Sequence, residues 1–73
     1  MPKKIYTIEN LGCANCAAKM EAAVAKLDGV EAVTVNFMTQ KLTLEAPDNV
    51  FDRVLSEVQS VIKKVEPDCK LIV

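Results

Sequence analysis

Cys13 and Cys16 stand three residues apart, directly before a segment with helical periodicity. At the first turn of a helix this spacing lets two sulfur atoms converge on one point. The exposed backbone N–H groups and the helix dipole there favour the thiolate form, so we expect the pKa of both thiols to be lowered. Two such thiolates can hold a soft metal ion or undergo reversible oxidation.

The remaining polar side chains exclude several other chemistries. The sequence contains three cysteines and no histidine. Without histidine there is no Ser-His or Cys-His nucleophile pair, no imidazole general base and no Cys/His zinc finger. An odd cysteine count in a chain without an export signal also argues against a disulfide framework. We therefore expect metal binding or redox chemistry from the cysteines.

Length and composition bound the class of protein. The 73 residues, 51% apolar and 26% charged, predict a single globular domain over residues 1–73. A net charge of −1 lacks the positive potential that drives binding to a phosphate backbone, so we expect no nucleic-acid partner. With no signal-peptide core and no run of 18 apolar residues, we expect a cytoplasmic chain that does not insert into a membrane.

Hydrophobic periodicity predicts six elements. Residues 4–9 alternate as a strand, and the next apolar repeat has helical spacing. Two further period-2 segments flank a turn at Thr39-Gln40, and Asp48 and Asn49 are expected to cap the second helix. The predicted elements are strands at 4–9, 31–37, 41–45 and 69–73 and helices at 14–27 and 51–65.

The order β-α-β-β-α-β predicts an α+β fold of the ferredoxin-like type, a four-stranded antiparallel sheet with two helices on one face. In that topology three loops meet at one end of the sheet. Residues 10–16, 37–40 and 65–69 are therefore expected to lie near one another.

This arrangement suggests additional ligands. Cu⁺ is satisfied by two thiolates, whereas Zn²⁺ and Cd²⁺ prefer four ligands and accept oxygen. Cys69, Asp68 and Glu66 all approach the same end and could complete a shell. Cys69 fits equally well as a small apolar residue that opens the last strand. Met38 is a weaker thioether candidate that we expect instead to fill the end of the hairpin.

The sequence resembles the heavy-metal-associated domain over essentially its whole length. The resemblance rests on Asn10 to Cys16 with the following Ala17-Ala18-Lys19-Met20-Glu21, on Leu27-Asp28-Gly29-Val30, and on Val33-Thr34-Val35-Asn36. The family comprises soluble copper chaperones and N-terminal domains of metal-transporting P-type ATPases. It implies that Cys13 and Cys16 bind a metal and pass it to an ATPase membrane region or another such domain.

Two departures from the family pattern bear on the metal. Leu11 stands where the family usually has methionine, and it can fill the same apolar site under the loop. Gly12 stands where many zinc, cadmium or lead pumps have an aspartate ligand. Even so, segments 37–41 and 66–69 look most like bacterial cadmium/zinc-type transporters. The resemblance therefore favours Cd²⁺ or Zn²⁺, with Cu⁺ and Pb²⁺ open, in a domain of a Cd/Zn/Pb-type transport ATPase.

Two alternative functions remain at this point. One is a stand-alone Cu⁺ metallochaperone, which would need only the two thiolates. The other is a small glutaredoxin-like thiol-disulfide oxidoreductase, which also carries a CxxC at a helix start. That fold needs a proline before its hairpin, facing the thiols, whereas Pro47 follows the hairpin. The oxidoreductase is therefore the weaker alternative.

Overall fold

The computed structural model describes residues 3–73, and its elements follow the predicted order. The strands form one antiparallel sheet in which the first strand lies between the third and the fourth, and the second strand pairs with the third at one edge. The ferredoxin-like βαββαβ prediction is confirmed. The elements are β1 (Lys3–Glu9), α1 (Ala14–Ala25), β2 (Ala32–Asn36), β3 (Lys41–Glu45), a 3₁₀ turn (Asp48–Val50), α2 (Phe51–Val65) and β4 (Lys70–Ile72).

One face of the sheet is apolar and covered by the helices. Leu42 and Leu44 of β3 and Ile8 of β1 are fully buried, whereas the alternate residues Ile5 and Thr7 are exposed. Pairing Ile8 with Leu71 of β4 keeps the apolar residues of neighbouring strands on that same face. A one-residue slip would turn each of these side chains to solvent, so the pattern fixes the register.

The helices complete the core with one stripe each. Burying a side chain the size of valine or isoleucine contributes about 1.5–3 kcal/mol to the free energy of folding. Among residues 3–73, this core contains no buried polar or charged residue. No helix in this part of the chain combines the length and apolar character needed to cross a membrane. The buried helix residues are Ala17, Met20 and Val24 of α1 and Phe51, Val54, Val58 and Ile62 of α2.

Helix α1 ends two residues earlier than the sequence predicts. The Leu27 N–H donates to the Val24 carbonyl at 3.0 Å, so the chain tightens after Ala25 into a narrower turn. Gly29 then adopts φ +97°, and a Cβ at this position would lie 2.9 Å from Val54 Cγ2. Glycine is therefore required here both by the backbone conformation and by the close approach of α2.

The predicted capping by Asp48 and Asn49 is wrong. Neither the 3₁₀ turn nor α2 has a side-chain hydrogen bond at its N-terminus. Backbone bonds take that place: Val50 N–H donates to the Pro47 carbonyl at 3.2 Å, and Phe51 N–H donates to the Asp48 carbonyl. Because the turn runs directly into α2, the first N–H groups find main-chain acceptors.

Candidate metal site

Cys13 begins the site as the N-cap of α1. Its backbone is extended, and its Sγ accepts a hydrogen bond from the Cys16 N–H at 3.2 Å. This is the position at which a helix has unpaired N–H groups to offer, and a sulfur occupies it in place of the usual oxygen. Hydrogen bonds from the Cys16 side chain, then from the backbone N–H groups of Cys16 and Asn15, lower the pKa of Cys13. The anion of the pair is therefore favoured on Cys13.

Cys16 lies in the first turn of α1, and its pKa is shifted in the opposite direction. Its thiol donates to Glu66 Oε2, with 3.3 Å between Sγ and oxygen. The neighbouring Cys13 sulfur, burial and the Glu66 carboxylate together raise the pKa of Cys16 to about 12. Because Cys16 is the partner on which the proton is retained, the expectation that both thiol pKa values are lowered is wrong for this residue. Two negative sulfurs and a carboxylate at one point repel one another.

Cys69 occupies the core beneath the site loop. Its side chain is 2% exposed, and its thiol donates to the Asn10 carbonyl at 3.3 Å. Burial, and then the nearby Glu66 and Asp68 carboxylates, raise the pKa of Cys69. The structure thus places Cys69 in contact with the chain segment that leads to Cys13, as a packed thiol one residue before β4 begins.

Glu66 and Asp68, the two acidic candidates for a further ligand, differ in their burial and contacts. Glu66 is half-buried and contacts Cys16, whereas Asp68 is exposed and contributes its backbone carbonyl to a bond from Asn10 Nδ2 at 3.1 Å. Across residues 3–73, no three cysteine, aspartate or glutamate side chains form a group that could hold a metal ion. Within these residues, the two thiols that lie together are those of Cys13 and Cys16, and Glu66 is the acidic side chain in contact with them.

The three loops meet at one end of the sheet as the topology predicts. The Gln40 side chain donates from Nε2 to the Leu11 carbonyl at 3.0 Å, and the Ile8 N–H donates to the Gln40 carbonyl at 2.8 Å. The sequence placed Asn10 in the loop 10–16 and Gln40 in the turn 37–40, and it predicted that these loops are neighbours without predicting which residues pair. Nothing in the local sequence marks Gln40 as a partner of residue 11, because their contact depends on the pairing of β1 with β3.

Two further predictions concern apolar residues near the site. Leu11 is 1% exposed and fills the space under the loop, as expected from its place in the family pattern. Met38 does not fill the hairpin end, because its side chain is 87% exposed at the tip. The short β2–β3 turn directs that residue outward, while the Asn36 side chain stabilises the turn by accepting from the Thr39 N–H at 3.2 Å.

Comparison with known families gives a match over most of the chain. The model of the heavy-metal-associated domain matches residues 5–70. Among curated proteins, the chain is 32% identical over 65 residues to the cadmium, zinc and cobalt-transporting ATPase of Bacillus subtilis (strain 168), which is 89% of this chain and 9% of that protein. It is 38% identical over 66 residues to the ATPase of the same description from Helicobacter pylori, covering 90% and 9%.

A solved structure shows the same architecture. The N-terminal domain of a potential copper-translocating P-type ATPase from Bacillus subtilis, in the Cu(I)-loaded state, superposes with a TM-score of 0.78 at 27% identity. The superposition covers 97% of this chain and 84% of that one. By contrast, the chain spans about 9% of the length of the two curated ATPases. The similarity is therefore to one small part of those proteins.

Proposed function

We propose, because the chain belongs to the heavy-metal-associated domain family, that it binds a heavy-metal cation between Cys13 and Cys16 and passes it on by ligand exchange. The observation that carries this proposal is the contact between Cys13 Sγ and the Cys16 N–H, 3.2 Å, at the start of α1. It fixes the two thiols one turn apart, half-buried, at the end of the sheet. A partner's thiolates can approach from solvent and replace them one at a time.

Glu66 is the third ligand that the contacts support best. Its carboxylate already lies 3.3 Å from Cys16 Sγ, so a small side-chain movement brings an oxygen to a metal held by the sulfurs. Cys69 would have to leave the core and give up its bond to Asn10. Its ligand role stays a prediction, as does that of Asp68, whose side chain is exposed.

This ligand set favours Cd²⁺ or Zn²⁺. Both ions accept sulfur together with carboxylate oxygen, and two cysteines alone leave their coordination shells incomplete. The curated relatives named for cadmium, zinc and cobalt transport support the same assignment. The copper-loaded relative supports Cu⁺ as the second candidate, since Cu⁺ needs only Cys13 and Cys16. Pb²⁺ is a further candidate from the resemblance.

We place the chain in a Cd/Zn/Pb-type transport ATPase, as its cytosolic N-terminal metal-binding domain. The support is the match to two cadmium, zinc and cobalt-transporting ATPases over 89% and 90% of the chain. In this setting the domain performs no reaction beyond ligand exchange. The metal acceptor is the membrane region of the transporter or a second domain of this type.

The decisive experiment is a competitive titration of the reduced protein with Cd²⁺, Zn²⁺ and Cu⁺, followed by thiolate absorption and mass spectrometry. Cys13→Ser and Cys16→Ser should each abolish tight 1:1 binding, because one thiolate cannot chelate. Ala14→Ser is the matched control, since it adds a hydroxyl at the exposed first residue of α1, between the two cysteines, and keeps both sulfurs. Wild-type affinity in either cysteine variant would refute the assignment.

A further inference from the structure

The segment that leads into Cys13 is tied to both neighbouring loops. On one side, Asn10 Nδ2 donates to the Asp68 carbonyl at 3.1 Å and the Cys69 thiol donates to the Asn10 carbonyl at 3.3 Å. On the other side, Gln40 Nε2 donates to the Leu11 carbonyl at 3.0 Å. These three bonds hold residues 10 and 11 immediately before Gly12 and Cys13.

Gly12 connects this segment to Cys13 and has no side chain that packing could hold in place. A Cβ at this residue would have no neighbour closer than 4.0 Å, so nothing packs against it. Leu11, by contrast, is anchored in the core with 1% exposure. Helix α1 holds Cys13 from one side, through the bonds that Cys16 N–H and Ala17 N–H donate to it. On the other side, the approach of the chain to Cys13 depends on the orientation of the peptide plane between Leu11 and Gly12. The oxygen of that peptide is the one that the Gln40 side chain holds.

The backbone of Gln40 gives independent support. It adopts φ +55°, a left-handed conformation in which the Cβ of any residue other than glycine is crowded. Glycine would adopt this turn conformation with less strain, so the conformation of the hairpin does not explain why residue 40 is a glutamine. Backbone strain retained at such a position points to a role for the side chain. The contact that this side chain makes is the one to the Leu11 carbonyl.

We infer that Gln40 is a positioning residue of the metal site: its amide fixes the Leu11–Gly12 peptide and so holds Cys13 ready for the metal. The inference rests on the proposed function, because it assumes that Cys13 is a ligand. A ligand held in place before binding loses less conformational freedom when the metal arrives, which raises affinity. Gln40 makes this contribution from the β2–β3 turn without touching the metal.

Gln40→Gly separates positioning from folding. It relieves the left-handed strain while removing the amide, so the metal-free protein should unfold at a free energy no lower than that of the wild type. Cd²⁺ affinity, measured by chelator competition, should nevertheless fall about tenfold, as is typical when a group that orients a ligand is lost. The backbone amide NMR signals of Gly12 and Cys13 should shift and show faster internal motion. Gln59→Ala, which removes the same group from α2, should leave all three measurements unchanged.

Gln40→Asn provides a second test in case the glycine variant alters the hairpin. Asparagine tolerates the left-handed conformation but its amide is one methylene shorter, so it should lose affinity as the glycine variant does. Wild-type affinity together with unchanged Gly12 and Cys13 signals in Gln40→Gly would overturn the inference. So would an affinity loss matched by an equal loss of unfolding free energy, which would assign Gln40 to the fold alone. If wild-type protein itself fails to bind Cd²⁺, the proposed function falls first.

Discussion

The Cys16 thiol donates to the Glu66 carboxylate with 3.3 Å between Sγ and Oε2, joining residues 50 positions apart in the sequence. Cys16 belongs to the first turn of α1, and Glu66 follows the last residue of α2. Glu66 is thus the acidic side chain whose oxygen accepts a hydrogen bond from a thiol of the cysteine pair. This contact distinguishes Glu66 from the other candidates for a third ligand.

Replacing Glu66 should therefore discriminate between metals. We expect Glu66→Gln to weaken Cd²⁺ binding about tenfold, about 1.4 kcal/mol, because a neutral amide oxygen is a poorer ligand than a carboxylate. Cu⁺ affinity should hardly change, because two thiolates satisfy that ion. Cys69→Ser, measured in the same chelator competition, tests the alternative in which Cys69 supplies the third ligand. A loss of Cd²⁺ affinity in Cys69→Ser with none in Glu66→Gln would make Cys69 the third ligand.

The three thiols should differ in reactivity. The thiolate is the attacking form, so Cys13, with its lowered pKa, should be alkylated first by iodoacetamide near neutral pH. Cys16 should follow, because its proton is retained, and Cys69 should react last, because it is buried. Peptide mass spectrometry of timed samples gives the order. The same reaction in denaturant is the control, in which the differences should largely disappear. Faster modification of Cys16 than of Cys13 would reverse our assignment of the anion.

Cys69 should make the fold sensitive to alkaline pH. Its pKa is raised in the folded state above the ordinary value of 9.0, mainly by burial. Above that pH the unfolded chain releases this proton more readily than the folded one, so stability falls as pH rises through the folded value. Urea unfolding of the reduced, metal-free protein between about pH 8 and pH 10 measures the loss. Cys69→Ser should lose less stability over that range, and an equal loss in both proteins would contradict the prediction.

The two glycines should respond differently to alanine. Gly29→Ala forces a side chain into φ +97° and to within 2.9 Å of Val54 Cγ2, so we expect a loss of about 1–3 kcal/mol in unfolding free energy. Gly12→Ala is the matched control, because the added Cβ meets nothing closer than 4.0 Å. Chemical denaturation of the metal-free proteins tests both. Similar stabilities for the two variants would show that α2 can move away from Gly29.

The order of elements and the position of the cysteine pair could be read from the sequence. Period-2 segments such as Val33 to Phe37 and the 3.6-residue stripe of α2 each allow one burial pattern, which identifies the face of each element that turns to the core. The convergence of the Cys13 and Cys16 sulfur atoms follows from their three-residue spacing at the start of a helix. These features depend on neighbours in the chain, which is why local patterns are sufficient.

The tertiary structure decided what surrounds the two sulfurs. The opposite pKa shifts of Cys13 and Cys16 come first from the hydrogen bond between the two residues, and the Glu66 carboxylate at the end of α2 adds to the raised pKa of Cys16. The left-handed turn at Gln40 reaches the site loop only because β1 pairs with β3. Cys69 and Met38 show the same limit, since both are soft sulfur side chains near one end of the sheet, yet one is 2% exposed and the other 87%. Hydrophobic patterning selects which face of an element is buried, but the partner of each polar atom is set by contacts between segments distant in sequence.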